Sequence, residues 1–191
     1  MTSVTILGKG TMGPAIAGVL EKAGSTVQLL DSKDTDQAVT GDVVVLAVPY
    51  PALAAVLAQR SGQLAGKTVV DLTNPLNFET FDSLTVPADS SAAAELQAAL
   101  PDSRVLKAFN TNFAATLASG TIGGQPTTVL IAGDDADAKS ELADLVTAGG
   151  LRAIDAGSLR RARELEALAF LQITLAAGEK IGWTGGFAPL A

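Results

Sequence analysis

The chain has 191 residues, of which 48% are apolar and 17% charged, with a net charge of −7 and no cysteine or histidine. That length predicts one domain with a substantial core and a short appendage; no run approaches a membrane span, and the acidic balance argues against an extended basic surface for nucleic acid, leaving small molecules as expected partners. The two missing residue types exclude disulfides, thiolate nucleophiles, thiolate-bound metals, histidine-dependent carbonyl reduction and Ser/His hydrolysis, and no metal site is expected.

A strand-like run begins at Ser3, without the basic segment and apolar core of a secretory signal before it, so a cytoplasmic location is expected. Short β-rich apolar runs recur at residues 4–7, 27–30, 43–48, 68–72, 105–108, 128–132 and 152–154. They do not alternate apolar with polar, as befits strands covered on both faces, and segments of helical spacing separate most of them. The pattern predicts an α/β fold, a doubly wound parallel sheet with right-handed crossovers, over residues 1–157.

After the first run, Met12, Ile16, Val19 and Leu20 mark one apolar face of a helix that ends near Gly24. Residues 32–41 are mostly polar and too few for a crossover helix, so the second crossover reads as truncated. Residues 75–89 read as loop, followed by a helix from about Ser91 to Leu100 that Pro101 ends. Residues 158–178 have a long helical signature, polar through Arg160, Arg161, Arg163, Glu164 and Glu166 and nearly apolar all round from Leu168 onward. Such a helix needs cover, from the sheet or from a second subunit, so residues 158–191 read as a C-terminal helix and tail and a homodimer is expected. Trp183 and Phe187 in the tail either fold back over the domain or border a ligand, and folding back is favoured.

Gly8-Lys9-Gly10-Thr11-Met12-Gly13 fits G-x-G-x-x-G, in which the first glycine permits a tight turn, the second lets a pyrophosphate approach the backbone, and the third lets helix pack on strand. The motif follows a strand and opens a helix, so free N–H groups and the helix dipole meet where a dinucleotide would lie, as in a Rossmann domain. Glycines serving only a turn are the competing explanation, and the full succession of strand, motif, helix and strand argues against it. Asp31 closes the second run, 18 residues after Gly13, where a carboxylate accepts hydrogen bonds from the adenosine ribose and favours NAD. Ser32 and Lys33 follow at once, a hydroxyl and an ammonium suited to the 2′-phosphate of NADP. On these residues alone both cofactors stay open. Ala47, Val48 and Pro49 close the third run; Thr73, Asn74 and Pro75 follow the fourth, and Asn110, Thr111 and Phe113 the fifth. They bring neutral donors and acceptors to the carboxyl edge, where doubly wound sheets bind ligands, while Phe113, like Phe109, suits the core as well as it suits stacking on a cofactor.

With these residues assembled, the chain resembles the deazaflavin (coenzyme F420)-dependent NADP oxidoreductase family and its small dinucleotide-binding relatives. The likeness is carried by Ile6-Leu7-Gly8 with the glycine motif, Ala47-Val48-Pro49, Val70-Asp71-Leu72-Thr73-Asn74-Pro75-Leu76, Lys107-Ala108-Phe109-Asn110-Thr111, Ile131-Ala132-Gly133-Asp134-Asp135, and Asp155-Ala156-Gly157-Ser158-Leu159 followed by Ala162-Arg163-Glu164-Leu165-Glu166. The resemblance implies a pyrophosphate on the glycine loop and a Ser/Arg or Thr/Arg pair after the second strand gripping the 2′-phosphate; here those positions hold Asp31 and Ser32, with Lys33 one further on. It favours NADP, with NAD the alternative. It also implies hydride transfer between the nicotinamide and a small-molecule redox substrate, a deazaflavin or flavin-like ring, which needs two rings face to face and no histidine. In the expected arrangement Val48-Pro49 and Asn74-Pro75 floor the nicotinamide, Ala47 and Thr73 also bind the cofactor, and residues 110–113 border the second ring, with Asn74, Asn110, Thr111 and Phe113 as the candidates that position it. Two other readings compete: a non-catalytic dinucleotide sensor, and a reductase of imines or small carbonyls, a class that usually carries a larger helical domain.

Overall fold

The computed structural model describes residues 1–189; of the expected tail, Leu190 and Ala191 lie outside the described residues. The chain runs β1 (Ser3–Leu7), α1 (Met12–Lys22), β2 (Thr26–Leu30), β3 (Val43–Leu46), α2 (Leu53–Arg60), β4 (Thr68–Asp71), α3 (Ala92–Ala99), β5 (Arg104–Lys107), α4 (Ala114–Ser119), a hairpin of β6 (Thr121–Ile122) and β7 (Gln125–Pro126), then β8 (Thr128–Gly133), α5 (Ala136–Ala148), β9 (Arg152–Gly157) and α6 (Ala162–Ala177). The main sheet has the order β2-β1-β3-β4-β5-β8-β9. Successive side chains of a strand point to opposite faces, which explains why apolar residues run on without alternating. Val43 and Val45 join Ile16, Leu20 and Leu142 in one core; Val44 and Leu46 join Leu53, Leu64 and Leu96 in the other.

The sheet is parallel from β2 through β5, whereas β8 pairs antiparallel with β5 and parallel with β9. The parallel expectation therefore needs refinement at its last two strands, and the cause lies in the connection. The six residues of α4 are too short to carry the chain back along the sheet, and Gly123 and Gly124, with φ of 57° and 81°, turn the β6–β7 hairpin beside it. The pairing of β5 with β8 is limited to Leu106 with Gly133 and Lys107 with Ala132. The first residues of β8 thus stand beyond the carboxyl edge of β5 and wall that side of it.

The expected helices form: α1 spans Met12–Lys22, and α3 is opened by Ser91, whose Oγ accepts the Ala94 N–H at 3.0 Å. No helix joins β2 to β3, as the polar composition of that stretch requires. On α6, Ala162, Leu165, Glu166, Ala169, Gln172 and Ala176 are buried, while Leu171 is 50% exposed. The tail folds back: the Phe187 N–H donates to Gln172 Oε1, and the Trp183 ring lies 4.9 Å from that of Phe113. Among the described residues no helix is long and apolar enough to cross a membrane.

Candidate functional site

The strand order reverses at β1, which has β2 on one side and β3 on the other. Crossovers leaving in opposite directions open a crevice at that carboxyl edge. Gly8 begins the turn with φ of 125°, and a Cβ there would lie 2.1 Å from the Ala47 carbonyl oxygen; at Gly13 a Cβ would lie 2.0 Å from the Gly8 oxygen. The fold itself therefore demands both glycines. Gly10 differs, since a Cβ there would meet nothing within 4 Å. The space above it borders the start of α1, where Thr11 makes no side-chain cap and the first turn holds no acidic residue. Ser91 and Asp135, by contrast, cap α3 and α5. An uncapped helix start with backbone N–H groups facing an open crevice fits a pyrophosphate.

A cavity of about 800 Å³ begins at this loop. Of the expected residues, Gly8, Lys9, Gly10, Asp31, Ser32, Ala47, Val48 and Pro49 line it, together with Leu30 and the α2 residues Val56, Gln59 and Arg60. Its rim at the end of β2 is charged. Lys9 Nζ lies 2.6 Å from Asp34 Oδ2 and 3.7 Å from Asp31 Oδ2. The Asp34 hydrogen bond, reinforced by Asp31, holds Lys9 above its ordinary pKa; the same bond, with the Asp31 N–H, holds Asp34 below its own. Asp31 Oδ1 accepts the Lys33 N–H at 2.7 Å, so one of its oxygens serves its own turn. In place of the missing helix, buried Arg60 anchors the loop, donating to the carbonyls of Gln37 at 2.8 Å and Asp34 at 2.6 Å.

The edge after β4 and β5 is built differently. Asp71, Lys107 and Glu166 are buried together, Lys107 Nζ lying 2.9 Å from Asp71 Oδ2 and 2.7 Å from Glu166 Oε1. Glu166 Oε2 also accepts the Ala92 N–H at the start of α3. Burial pushes the Glu166 carboxyl above its ordinary pKa, against the opposing pull of Lys107 and the Ala92 N–H. Thr73 hangs from this cluster, its N–H donating to Asp71 Oδ1 at 2.8 Å and its carbonyl accepting from Lys107. Asn74 and Asn110 exchange two hydrogen bonds of 3.0 Å, Nδ2 of Asn74 to the Asn110 carbonyl and Nδ2 of Asn110 to Asn74 Oδ1.

Nearby, Tyr50 donates to Glu95 Oε2 at 2.7 Å beside a cavity of about 300 Å³ between α2 and α3. Desolvation and that carboxylate push the phenol up to about 12, so Tyr50 is a neutral donor at physiological pH.

The structure thus gathers the glycine loop, the end of β2 and the end of β3 around one cavity, while Thr73, Asn74 and Asn110 meet at the next edge. Lys33 is exposed beyond the cavity lining. Thr111 turns toward α6: its carbonyl accepts from Gln172 Nε2, and it lines a cavity of about 230 Å³ with Thr128, Leu130 and Phe187. Phe113 is half-buried against Trp183. Two features of the site escape sequence reasoning. Arg60 grips carbonyls that no side-chain pattern reveals, and Asp71, Lys107 and Glu166 come from separate elements. Charged residues inside otherwise apolar runs are the signal that points to Asp71 and Lys107.

Known proteins resemble this chain in sequence and in fold. A family model described as NADP oxidoreductase, coenzyme F420-dependent, matches residues 27–75. The F420-dependent NADP reductase of Methanocaldococcus jannaschii is 32% identical over 171 residues, covering 87% of this chain and 76% of that protein. That of Methanothermobacter thermautotrophicus is 33% identical over 168 residues, covering 84% and 72%. The solved structure of a candidate F420-dependent NADP reductase from Arthrobacter sp. FB24 superposes with a TM-score of 0.84 at 26% identity, covering 99% of this chain and all of that one. The chain belongs to the F420-dependent NADP reductase family, a family of NADP-dependent oxidoreductases.

Proposed function

We propose that this protein transfers a hydride between NADPH and a deazaflavin or flavin-like ring. The observation that carries the dinucleotide part of this reading is the open space over Gly10 at the uncapped start of α1, at the point where the strand order reverses; the acceptor class rests on the family to which the chain belongs. When bound, the nicotinamide supplies or accepts the hydride, with the accompanying proton exchanged with solvent. The residues of the chain bind and orient. Gly8, whose N–H is bound to the Leu30 carbonyl, makes the turn, and Lys9, Gly10, Thr11, Met12 and Gly13 receive the pyrophosphate on backbone N–H groups; Ala47, Val48 and Pro49 wall the crevice; Thr73, Asn74 and Pro75 carry the nicotinamide side. Asn74, Asn110, Thr111 and Phe113 position the second ring. Catalysis is then chiefly a matter of holding two rings in contact.

NADP is preferred over NAD because the rim that receives the adenosine ribose adds Ser32, Lys33 and Lys9 around Asp31, one of whose oxygens is already engaged. Residues 1–157 act as the dinucleotide-binding domain, and residues 158–191 serve as the dimerisation element, with half-exposed Leu171 facing a second copy. The location is cytoplasmic, in keeping with a chain that uses no disulfides.

The test mixes the protein with NADPH or NADH and, in parallel, oxidised coenzyme F420, FMN, a quinone or a cyclic imine, following loss of reduced-nicotinamide absorbance. Turnover with coenzyme F420 and NADPH is expected. Turnover with none of the acceptors despite tight NADPH binding would favour a sensor, and turnover with the imine alone would replace the acceptor class. Light scattering is expected to give twice the mass of one chain.

A further inference from the structure

We propose that buried Asp71, Lys107 and Glu166 form a positioning device for the nicotinamide half of the cofactor, fixing the turn at residues 73–75 relative to the sheet edge. The inference rests on the proposed dinucleotide function and deepens it.

The ammonium of Lys107 has three N–H donors, and the structure engages all of them: Asp71 Oδ2 at 2.9 Å, Glu166 Oε1 at 2.7 Å and the Thr73 carbonyl at 2.5 Å. The other oxygen of Asp71 takes the Thr73 N–H at 2.8 Å. Both backbone polar groups of one turn residue are thus held by the two members of one ion pair. The neighbouring Asn74 is clasped to Asn110, whose Nδ2 also donates to the Leu165 carbonyl at 3.0 Å, one residue before Glu166. The contacts close a ring from β4 through the turn, across to the loop after β5, onto α6 and back to Lys107. Phe109, between Lys107 and Asn110, is buried with φ of 63°, a conformation that a bulky residue holds only when its surroundings enforce it.

Stability alone does not call for this arrangement. Buried ion triads replaced by apolar side chains of similar volume often leave a fold equally or more stable. One cation against two carboxylates also leaves excess negative charge, and the Ala92 and Ala93 N–H groups at the start of α3 donate to the Glu166 carboxylate to offset it. What the cluster supplies is direction. Two polar atoms at the ends of this ring, Thr73 Oγ1 and Asn110 Oδ1, are buried and have no hydrogen-bond partner among the described residues. A hydroxyl and an amide oxygen suit a primary carboxamide, which donates two hydrogen bonds and accepts others, and the nicotinamide ring carries one.

The test separates the two halves of the cofactor by titrating 2′,5′-ADP, which has the adenosine half alone, and NADPH, each by calorimetry. The variants are Glu166→Gln and the apolar triple Asp71→Leu/Lys107→Met/Glu166→Leu. Affinity for 2′,5′-ADP is expected to stay within about threefold of wild type in both, while NADPH affinity falls about tenfold in Glu166→Gln, the size of one lost orienting contact. In the triple it falls to that of 2′,5′-ADP. An unchanged ratio of NADPH to 2′,5′-ADP affinity in Glu166→Gln would overturn the positioning role, even if the triple failed to fold. A merely structural role would weaken both ligands together and leave the ratio alone. Wild-type protein binding neither ligand would instead overturn the dinucleotide function, and the positioning role with it.

Discussion

The two ends of the crevice hold their charges in opposite ways. At the end of β2 Lys9, Asp31 and Asp34 are partly exposed, and the loop that carries the two aspartates has no helix and hangs from Arg60. At the β4–β5 end Asp71, Lys107 and Glu166 are buried, each bonded to more than one partner. Under the proposed function, the difference follows from what each end must do. Affinity for a phosphate tolerates side chains that adjust to it, whereas a misplacement of about 1 Å at reacting rings can cost about a hundredfold in rate. Exposed pairs suffice for the first task, and buried, fully bonded groups suit the second.

The largest expected effect breaks the buried end outright. Lys107→Met alone leaves two buried carboxylates without their cation and is expected to lower stability by about 3–5 kcal/mol in urea unfolding; wild-type stability would show that the cluster is not isolated from water. Next comes a contrast within the glycine loop. Gly8→Ala meets the Ala47 carbonyl at 2.1 Å in a left-handed conformation and is expected to destabilise by about 3 kcal/mol. Gly10→Ala has open space around it and is expected to leave the melting temperature unchanged while weakening NADPH about tenfold. Equal loss of stability in both would remove the distinction between a glycine required by the fold and one required by the ligand.

A smaller effect is written in pH. The folded-state pKa of Glu166 is raised above its ordinary value of 4.5, so its contribution to stability is fully present below that value and is lost as pH rises through the folded pKa. Melting temperature measured against pH is expected to decline across this window in wild type relative to Glu166→Gln, and parallel curves would contradict the shift. The exposed end gives the smallest effect. Lys9→Met is expected to leave stability unchanged and weaken NADPH only a few-fold, less so in high salt, where exposed charges are screened; a salt-independent loss would place Lys9 in direct, desolvated contact.

The same comparison shows what was legible in the sequence. Sheet, glycine loop and missing crossover helix were readable because each has a local signature: apolar runs for β1 to β5, fixed spacing for Gly8, Gly10 and Gly13, and a polar stretch too short for a helix between β2 and β3. The reversal of β8 was not, since it depends on how a short α4 and the Gly123-Gly124 hairpin redirect the chain. The ends of β4 and β5 were readable as places, through Asn74 and Asn110, but not as a mechanism. Glu166 reads locally as one more polar residue on a helix start, and only tertiary packing brings it 2.7 Å from Lys107. Arg60 was hidden for a similar reason, because its partners are backbone carbonyls more than twenty residues earlier.

A crystal structure with bound NADPH is the decisive measurement. The pyrophosphate is expected over Gly10 at the start of α1, the 2′-phosphate within hydrogen-bonding reach of Ser32 and Lys33, and the nicotinamide carboxamide at Thr73 and Asn110. Density for the dinucleotide outside this crevice, or the 2′-phosphate turned to solvent with Asp31 alone holding the ribose, would contradict this arrangement.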